Sequence, residues 1–328
     1  MKVFVTREIP KIGLELLEKA GFEINLRGNE LPPTKDELVE GVKDADALLC
    51  LLTDKISRDV LEAGKNLKIV SNYAVGYDNI DVDAATELGI IVTNTPGVLT
   101  DATAELAWAL LFAVARRIVE ADKFTRAGKF KGWHPTLLLG FELKGKTLGI
   151  IGAGRIGTAM ALKSKGFKMK VLYFSRHRNE RLERELGAKM VSLDELLKES
   201  DFVSLHVPLT SETFHLIGER ELNLMKPTAI LINTSRGAVV DEQALIKALQ
   251  NRRIAGAGLD VFENEPEVPD ELKKLENVVI TPHIGSATHN ARESMALMAA
   301  QAIVDVLNGR IPQNVVNPEV LKKLRGGQ

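Results

Sequence analysis

The chain has 328 residues, 45% of them hydrophobic and 27% charged, enough apolar side chains to offset ordering entropy, so a disordered chain is excluded. Its 43 Lys+Arg against 44 Asp+Glu give a net charge of −1, and a nucleic-acid partner, which would need a basic excess, is not expected. Cys50 is the only cysteine, so no intrachain disulfide can form and a reducing, cytoplasmic setting is expected.

The length predicts about two domains. In chain order, Lys2–Thr6, Ala47–Leu52, Lys68–Ser71 and Ile90–Thr93 read as buried strands, being short, branched and bounded by charged or turn residues. Helix-like segments, Ile12–Ala20, Lys35–Val42, Arg58–Ala63 and Val82–Leu88, lie between them. One long helix is predicted from about Asp101 to Arg126, with Thr100 and Asp101 as N-cap candidates and Gly128 past its end. Its most apolar part, Leu106–Ala115, is about half the ~20 residues of a membrane span, so no membrane partner is expected. The apolar run before Arg7 is too short for a signal peptide. After an irregular stretch, Ala127–Leu143, the alternation restarts with candidate strands Thr147–Ile151, Lys170–Phe174, Phe202–His206, Ala229–Asn233, Gly256–Val261 and Val278–Thr281. Helical patterns Ile156–Lys165, Leu193–Glu199 and Glu242–Gln250 separate them, and a final helix spans roughly Ala291–Leu307. Both halves therefore read as α/β, parallel sheets covered by helices. The pattern alone leaves open which half the last helix joins.

Gly152-Ala153-Gly154-Arg155-Ile156-Gly157 is a G-x-G-x-x-G turn between a predicted strand and a predicted helix, the context in which such a turn binds a dinucleotide. Gly152 allows the tight turn, Gly154 lets a pyrophosphate approach, and Gly157 allows close packing, with the helix N-terminus supplying amide donors. The next strand runs into Ser175-Arg176-His177-Arg178. An NAD-binding chain usually carries an acidic residue there for the ribose 2′-OH, whereas arginines and a small hydroxyl favour a 2′-phosphate. NADP(H) is thus the preferred cofactor, with NAD(H) as an alternative; a solvated loop is the other reading of these arginines.

Arg236, Glu265 and His283 each follow the carboxyl end of a predicted strand, as the glycine turn does. In open parallel sheets that edge binds ligands. A carbonyl that accepts hydride needs a proton donor, for which His is the usual choice. A neighbouring carboxylate fixes the ring and favours its protonated form, and a guanidinium holds a substrate carboxylate. Taken singly, each could instead be an exposed loop residue. No metal ligand set is predicted.

Asn72-Tyr-Ala-Val-Gly-Tyr-Asp78, Asn94-Thr-Pro-Gly97, Asp101-Ala-Thr-Ala-Glu105, Gly149–Gly157, Ser200–Thr210, Ile232–Gly237, Ala257–Val261 and Thr281–Thr288 follow one another along almost the whole chain. They resemble the D-isomer-specific 2-hydroxyacid dehydrogenase family. Trp133-His-Pro135, Ser175-Arg176 and His283–His289 are most similar to its glyoxylate/hydroxypyruvate reductase branch. The resemblance implies an α/β fold of two Rossmann-like domains with a cleft between them. Residues 1–98 and 286–328 would form a discontinuous substrate-binding domain, and residues 99–285 the NAD(P)-binding domain. It implies that His283 donates the proton, Glu265 pairs with it and Arg236 binds the 2-oxo acid. Leu52, Val75, Gly76 and Ser286 would join Arg236 and His283 around the substrate, with the Val75–Gly76 amides on its carboxylate. Besides the glycine turn and Ser175–Arg178, the cofactor would meet Thr103, Val207, Pro208, Thr234, Ser235, Arg236, Asp260, His283 and Gly285, with Thr103 at the nicotinamide end and Asp260 on the carboxamide. The family also implies a homodimer through the coenzyme domain, in which Trp133 either reaches the partner's active site or packs within its own subunit. Rivals are a short 3-phosphoglycerate dehydrogenase and a corepressor-like binding protein that keeps the dinucleotide domain; turnover with glyoxylate separates the second from an enzyme.

Overall fold

The computed structural model describes residues 1–322; residues 323–328, the end of the expected 286–328 segment, lie outside the described residues. The chain divides into two compact units, residues 1–99 with those from 287 onward, and residues 100–286.

Unit one alternates β1 (Lys2–Val5), α1 (Lys11–Lys19), β2 (Glu23–Leu26), α2 (Lys35–Val42), β3 (Ala47–Leu51), α3 (Arg58–Ala63), β4 (Ile69–Tyr73), α4 (Val82–Glu87) and β5 (Ile91–Thr93). Its sheet is parallel in the order β2-β1-β3-β4-β5. The continuous apolar runs of β3 and β4 are buried, as strands covered on both faces must be. Thr34 and Glu37 close a capping box on α2, and Asp81 caps α4. The last helix of the chain, His289–Leu307, belongs to this unit. Its small residues let it come close: the Ser71 hydroxyl donates to the Ala299 carbonyl at 2.9 Å, and the Tyr73 hydroxyl to that of Arg292 at 2.7 Å.

Unit two contains α5 (Thr100–Ala115), α6 (Ile118–Arg126), β6 (Thr147–Ile151), α7 (Arg155–Lys163), β7 (Lys170–Phe174), α8 (Glu180–Leu186), β8 (Lys189–Met190), α9 (Leu193–Glu199), β9 (Phe202–Leu205), α10 (Glu219–Leu224), β10 (Ile230–Asn233), α11 (Glu242–Gln250), β11 (Gly256–Leu259), α12 (Asp270–Lys273) and β12 (Val278–Ile280). The chain then returns to unit one through α13 (His289–Leu307). The unit-two sheet is parallel in the order β12-β11-β10-β9-β6-β7-β8. Its order reverses between β6 and β9, the crevice where such sheets take ligands.

The single helix expected over Asp101–Arg126 is two helices, α5 and α6, broken at Arg117, whose backbone is left-handed at φ 53°. The carbonyl of Ala115 is taken by the amide of Phe141 at 2.8 Å, and the Arg117 guanidinium turns to Glu120 at 2.7 Å. Both contacts compete with continuing the helix. Thr100 and Asp101 are accordingly not caps: Thr100 begins α5, and Asp101 stands in its first turn, where its charge suits the positive helix end. The short strands β2 and β8 are additional to the predicted ones; their residues are mostly exposed and carry no apolar run that would mark them.

Candidate active site

The dinucleotide turn follows β6. Gly152 adopts φ +97°, and a Cβ on Gly157 would stand 2.0 Å from the Gly152 carbonyl oxygen. Only hydrogen side chains let α7 close on the strand in this way. Gly154 caps α7 without a side-chain bond, and a Cβ there would meet nothing within 4 Å, so its face of the turn is open to a phosphate. Arg155 is exposed, and Ala153 and Ile156 are half-buried. The turn is braced from outside the motif: Asn179 donates to the Ala153 carbonyl at 3.0 Å and to the Thr158 hydroxyl at 2.8 Å. Beneath it, His206 bonds Ser204 at 2.9 Å, and burial pushes its pKa down to about 3, so it stays neutral.

Past β7, Ser175 is half-buried, while Arg176, His177 and Arg178 are exposed. Arg178 pairs with Glu183 at 2.6 Å; Glu183 also accepts from the Tyr173 hydroxyl at 2.7 Å. The Arg178 hydrogen bond and then that of Tyr173 hold the Glu183 carboxyl below its ordinary range. The guanidinium expected to meet a 2′-phosphate therefore has a carboxylate partner already.

The three charged candidates come from the ends of β10, β11 and β12. The nitrogen Nδ1 of His283 lies 2.8 Å from Glu265 Oε2. Glu265 Oε1 accepts from the Phe262 amide at 3.0 Å. Burial opposes the Glu265 charge, but the His283 bond and charge, the Phe262 amide and the Arg236 charge outweigh it, and the carboxyl sits below its ordinary value. Arg236 is half-buried, with Nη1 donating to the Ser235 carbonyl at 2.9 Å. Ser235 is tied to Asn233 at 2.8 Å.

His283 is left-handed at φ 54°, a conformation that a non-glycine residue keeps only when its surroundings impose it. Asp260 imposes it. Its backbone carbonyl accepts from the His283 amide at 2.9 Å. Its carboxylate accepts from the Thr281 hydroxyl (2.6 Å) and the amides of Ile284 (2.8 Å) and Gly285 (2.7 Å). Asp260 is completely buried, and burial raises its carboxyl despite these donors. The family resemblance implies a cofactor contact for Asp260; its part in shaping the histidine loop depends on contacts that sequence spacing does not display.

Other cofactor candidates surround this edge. A Cβ on Gly285 would stand 3.4 Å from Thr103, which brings α5 to the histidine loop. The buried Thr234 Oγ1 has no partner among the described residues. A buried hydroxyl left unbonded is unfavourable unless something else satisfies it, so Thr234 together with the open glycine turn fits a bound dinucleotide. Val207 is half-buried and Pro208 exposed, just past β9; Ser286 is half-buried. Among the described residues there is no cluster of His, Cys, Asp or Glu arranged for a metal.

The remaining substrate candidates lie in unit one. Leu52 follows β3, and Val75 and Gly76 follow β4. The Val75 carbonyl accepts from Asn94 and the Gly76 carbonyl from Asn72, both at 2.8 Å, which fixes the loop from its carbonyl side.

The family model described as "D-isomer specific 2-hydroxyacid dehydrogenase, NAD binding domain" matches residues 108–285. A glyoxylate reductase of Thermococcus litoralis is 60% identical over 324 residues, covering 98% of each chain. One of Korarchaeum cryptofilum is 58% identical, covering 98% of this chain and 97% of the relative. Among solved structures, an NADPH-dependent glyoxylate/hydroxypyruvate reductase of Sinorhizobium meliloti, in complex with NADP and malonate, aligns with TM-score 0.85 at 34% identity over 97% of each chain. A protein of Thermus thermophilus aligns with TM-score 0.90 at 48% identity, over 96% of this chain and 100% of its own.

Proposed function

Because the chain belongs to the D-isomer-specific 2-hydroxyacid dehydrogenase family, we propose that it reduces glyoxylate to glycolate, and hydroxypyruvate to D-glycerate, with NADPH preferred to NADH. The observation that carries this reading is the His283–Glu265 pair at 2.8 Å, on the same sheet edge as the dinucleotide turn. A bound nicotinamide dinucleotide supplies the hydride. The chain's residues do the rest. Arg236 binds the substrate carboxylate and polarises the neighbouring carbonyl. His283 gives its ring proton to the carbonyl oxygen, and Glu265 holds the ring in place through Nδ1. Glu265 lies below its ordinary carboxylate value, so it remains ionised through the neutral range and loses its charge only as pH falls through that lowered value. Leu52, Val75, Gly76 and Ser286 complete the proposed substrate contacts.

The exposed arginines after β7 and the lack of a carboxylate among residues 175–178 support the NADPH preference. Self-association through unit two is supported by the exposed apolar side chains Ile118, Phe130, Trp133, Leu139 and Phe141, too many on one stretch for an ordinary monomer surface. Trp133, 84% exposed, is the residue best placed to meet a partner. A cytoplasmic location is proposed on the single cysteine, whose thiol burial raises well above its ordinary value. The rival of a dinucleotide-binding corepressor is answered by the same measurement as the substrate: kcat/KM for glyoxylate, hydroxypyruvate and 3-phosphohydroxypyruvate, each with NADPH and NADH. Glyoxylate turnover favouring NADPH is expected, and Arg176→Ala should reduce kcat/KM with NADPH by roughly tenfold, the scale of one charge-assisted bond. A preference for NADH in the unsubstituted chain, or no turnover with cofactor bound, refutes the corresponding part.

A further inference from the structure

Two loops of unit two bring Arg236 and Glu265 to the sheet edge, and a histidine carried by neither loop joins them. His215 lies between β9 and α10, with left-handed backbone at φ 50°. Its amide donates to the Ala238 carbonyl at 2.8 Å, within the Gly237–Val239 turn that follows Arg236. Its ring Nε2 lies 3.0 Å from Glu263 Oε1. One residue thus bonds the Arg236 turn through its backbone and the Glu265 loop through its side chain.

The surroundings make this link stiff. A Cβ on Gly237 would stand 1.9 Å from the Phe262 carbonyl carbon, so the two loops touch along their backbones. The Glu263 carboxylate also accepts from the Glu242 amide at 3.4 Å, and the Glu242 carboxylate from the Glu263 amide at 3.3 Å. That reciprocal clasp fastens the loop to the start of α11. Burial, with the Glu263 charge, outweighs the Glu263 amide and raises the Glu242 carboxyl above its ordinary value. The Phe262 amide, next along the chain from Glu263, is the donor that holds Glu265 at 3.0 Å. A displacement of Glu263 therefore moves the bond on which Glu265, and with it His283, depends.

We propose that His215 is a positioning residue for the reduction: by bonding Ala238 and Glu263 together it sets the spacing between Arg236 and Glu265. The inference rests on the roles given above to Arg236, Glu265 and His283. Turnover depends steeply on such spacing, since misplacing a reacting group by about 1 Å can cost roughly 100-fold. Binding of the dinucleotide draws mainly on the β6 turn and depends on this spacing far less steeply than turnover does.

His215→Phe keeps a ring against Phe214, whose centroid lies 4.0 Å away, and removes the bond to Glu263. His215→Gln restores a donor. The expected result is a kcat lowered roughly 10- to 100-fold in the Phe variant, with NADPH affinity by fluorescence titration changed far less and most of the loss recovered in the Gln variant. Unchanged kcat in His215→Phe overturns the proposal. So does a parallel loss of kcat and NADPH affinity that Gln does not restore, because that is the signature of a general structural role. If the Phe variant does not fold, Glu263→Met replaces it, because it removes the acceptor for His215: kcat should fall far more than NADPH affinity, and an unchanged kcat there overturns the proposal equally. His283→Ala distinguishes a failure at the catalytic histidine from one at His215. If it turns over normally, the catalytic assignment itself has failed; if it is inactive while His215→Phe is normal, only the present inference has.

Discussion

The two units follow the same rule of sheet construction and use it differently. Unit one has the order β2-β1-β3-β4-β5 and unit two β12-β11-β10-β9-β6-β7-β8, so each sheet reverses direction once and leaves a crevice at the carboxyl edge. In unit two the strand at that point, β6, runs into three glycines and a helix start without a side-chain cap. In unit one the corresponding strand, β1, runs into Thr6 and Arg7, which meet Asp54 from the end of β3. Asp54 is completely buried and accepts from the Thr6 hydroxyl (2.5 Å), Arg7 (2.7 Å) and the Leu51 amide (2.7 Å). The crevice that is open to a phosphate in one sheet is filled in the other by a carboxylate and its own donors. Topology supplies the crevice; the residues of one turn decide whether it holds a ligand or a piece of the chain.

That contrast is broken most forcefully in unit one. Asp54→Ala leaves Arg7, only 14% exposed at its side chain, without its charged partner. Breaking a buried pair in this way is expected to cost about 3–5 kcal/mol of unfolding free energy, measured by chemical denaturation. Replacing both members, Arg7→Leu with Asp54→Leu, should recover most of that loss, since a packed apolar pair often does as well as a buried ionic one. A double variant as unstable as the single one would mean that the filling acts through its hydrogen bonds to Thr6 and Leu51 rather than through charge.

In unit two the matching substitution is Gly157→Ala. The added methyl meets the Gly152 carbonyl at 2.0 Å, and forcing room for it costs about 1–3 kcal/mol. The strain falls on the turn that takes the phosphates, so NADPH affinity by fluorescence titration should weaken roughly 10- to 100-fold. If affinity holds and only stability falls, the glycine serves helix packing alone.

Such contrasts were legible in the sequence where the signal is local. Gly152 to Gly157 could be read because strand, turn and helix are consecutive, and β3 and β4 because their apolar runs are unbroken. Arg236, Glu265 and His283 could be placed on one edge, since each follows a parallel strand, and the pairing of Glu265 with His283 was implied by the family resemblance; the bonds from Arg236 to Ser235 and from the Phe262 amide to Glu265 were not. The clasp of Asp260 on the His283 loop and the link from His215 to Glu263 join residues distant in sequence, and nothing in the spacing of either marks the partner. The break at Arg117 was hidden for the same reason: the Phe141 amide that takes the Ala115 carbonyl belongs to a loop without periodicity. Asp54 belongs with these: its partners Thr6 and Arg7 stand 48 and 47 residues away in the chain.

The smallest expected effect concerns how fully the unit-two edge is prepared for a phosphate. Arg178 is held by Glu183 at 2.6 Å, and Glu183 is held in turn by Tyr173. A 2′-phosphate reaching this loop would have to share Arg178 with a carboxylate or displace it. Glu183→Gln keeps the size of the side chain and its bond from Tyr173 but removes the competing charge. Exposed pairs are weak, so the KM for NADPH should fall by only about two- to fivefold, and that for NADH should not change. The sign of the change is what discriminates. A lower KM means that Glu183 competes with the cofactor for Arg178. A higher one means that Glu183 instead supports the loop through Tyr173, whose hydroxyl also accepts from the Asn179 amide at 2.9 Å; Asn179 braces the Ala153 carbonyl of the glycine turn. In that case the filled and the open crevice would have more in common than their surfaces suggest, each being shaped by a carboxylate standing behind it.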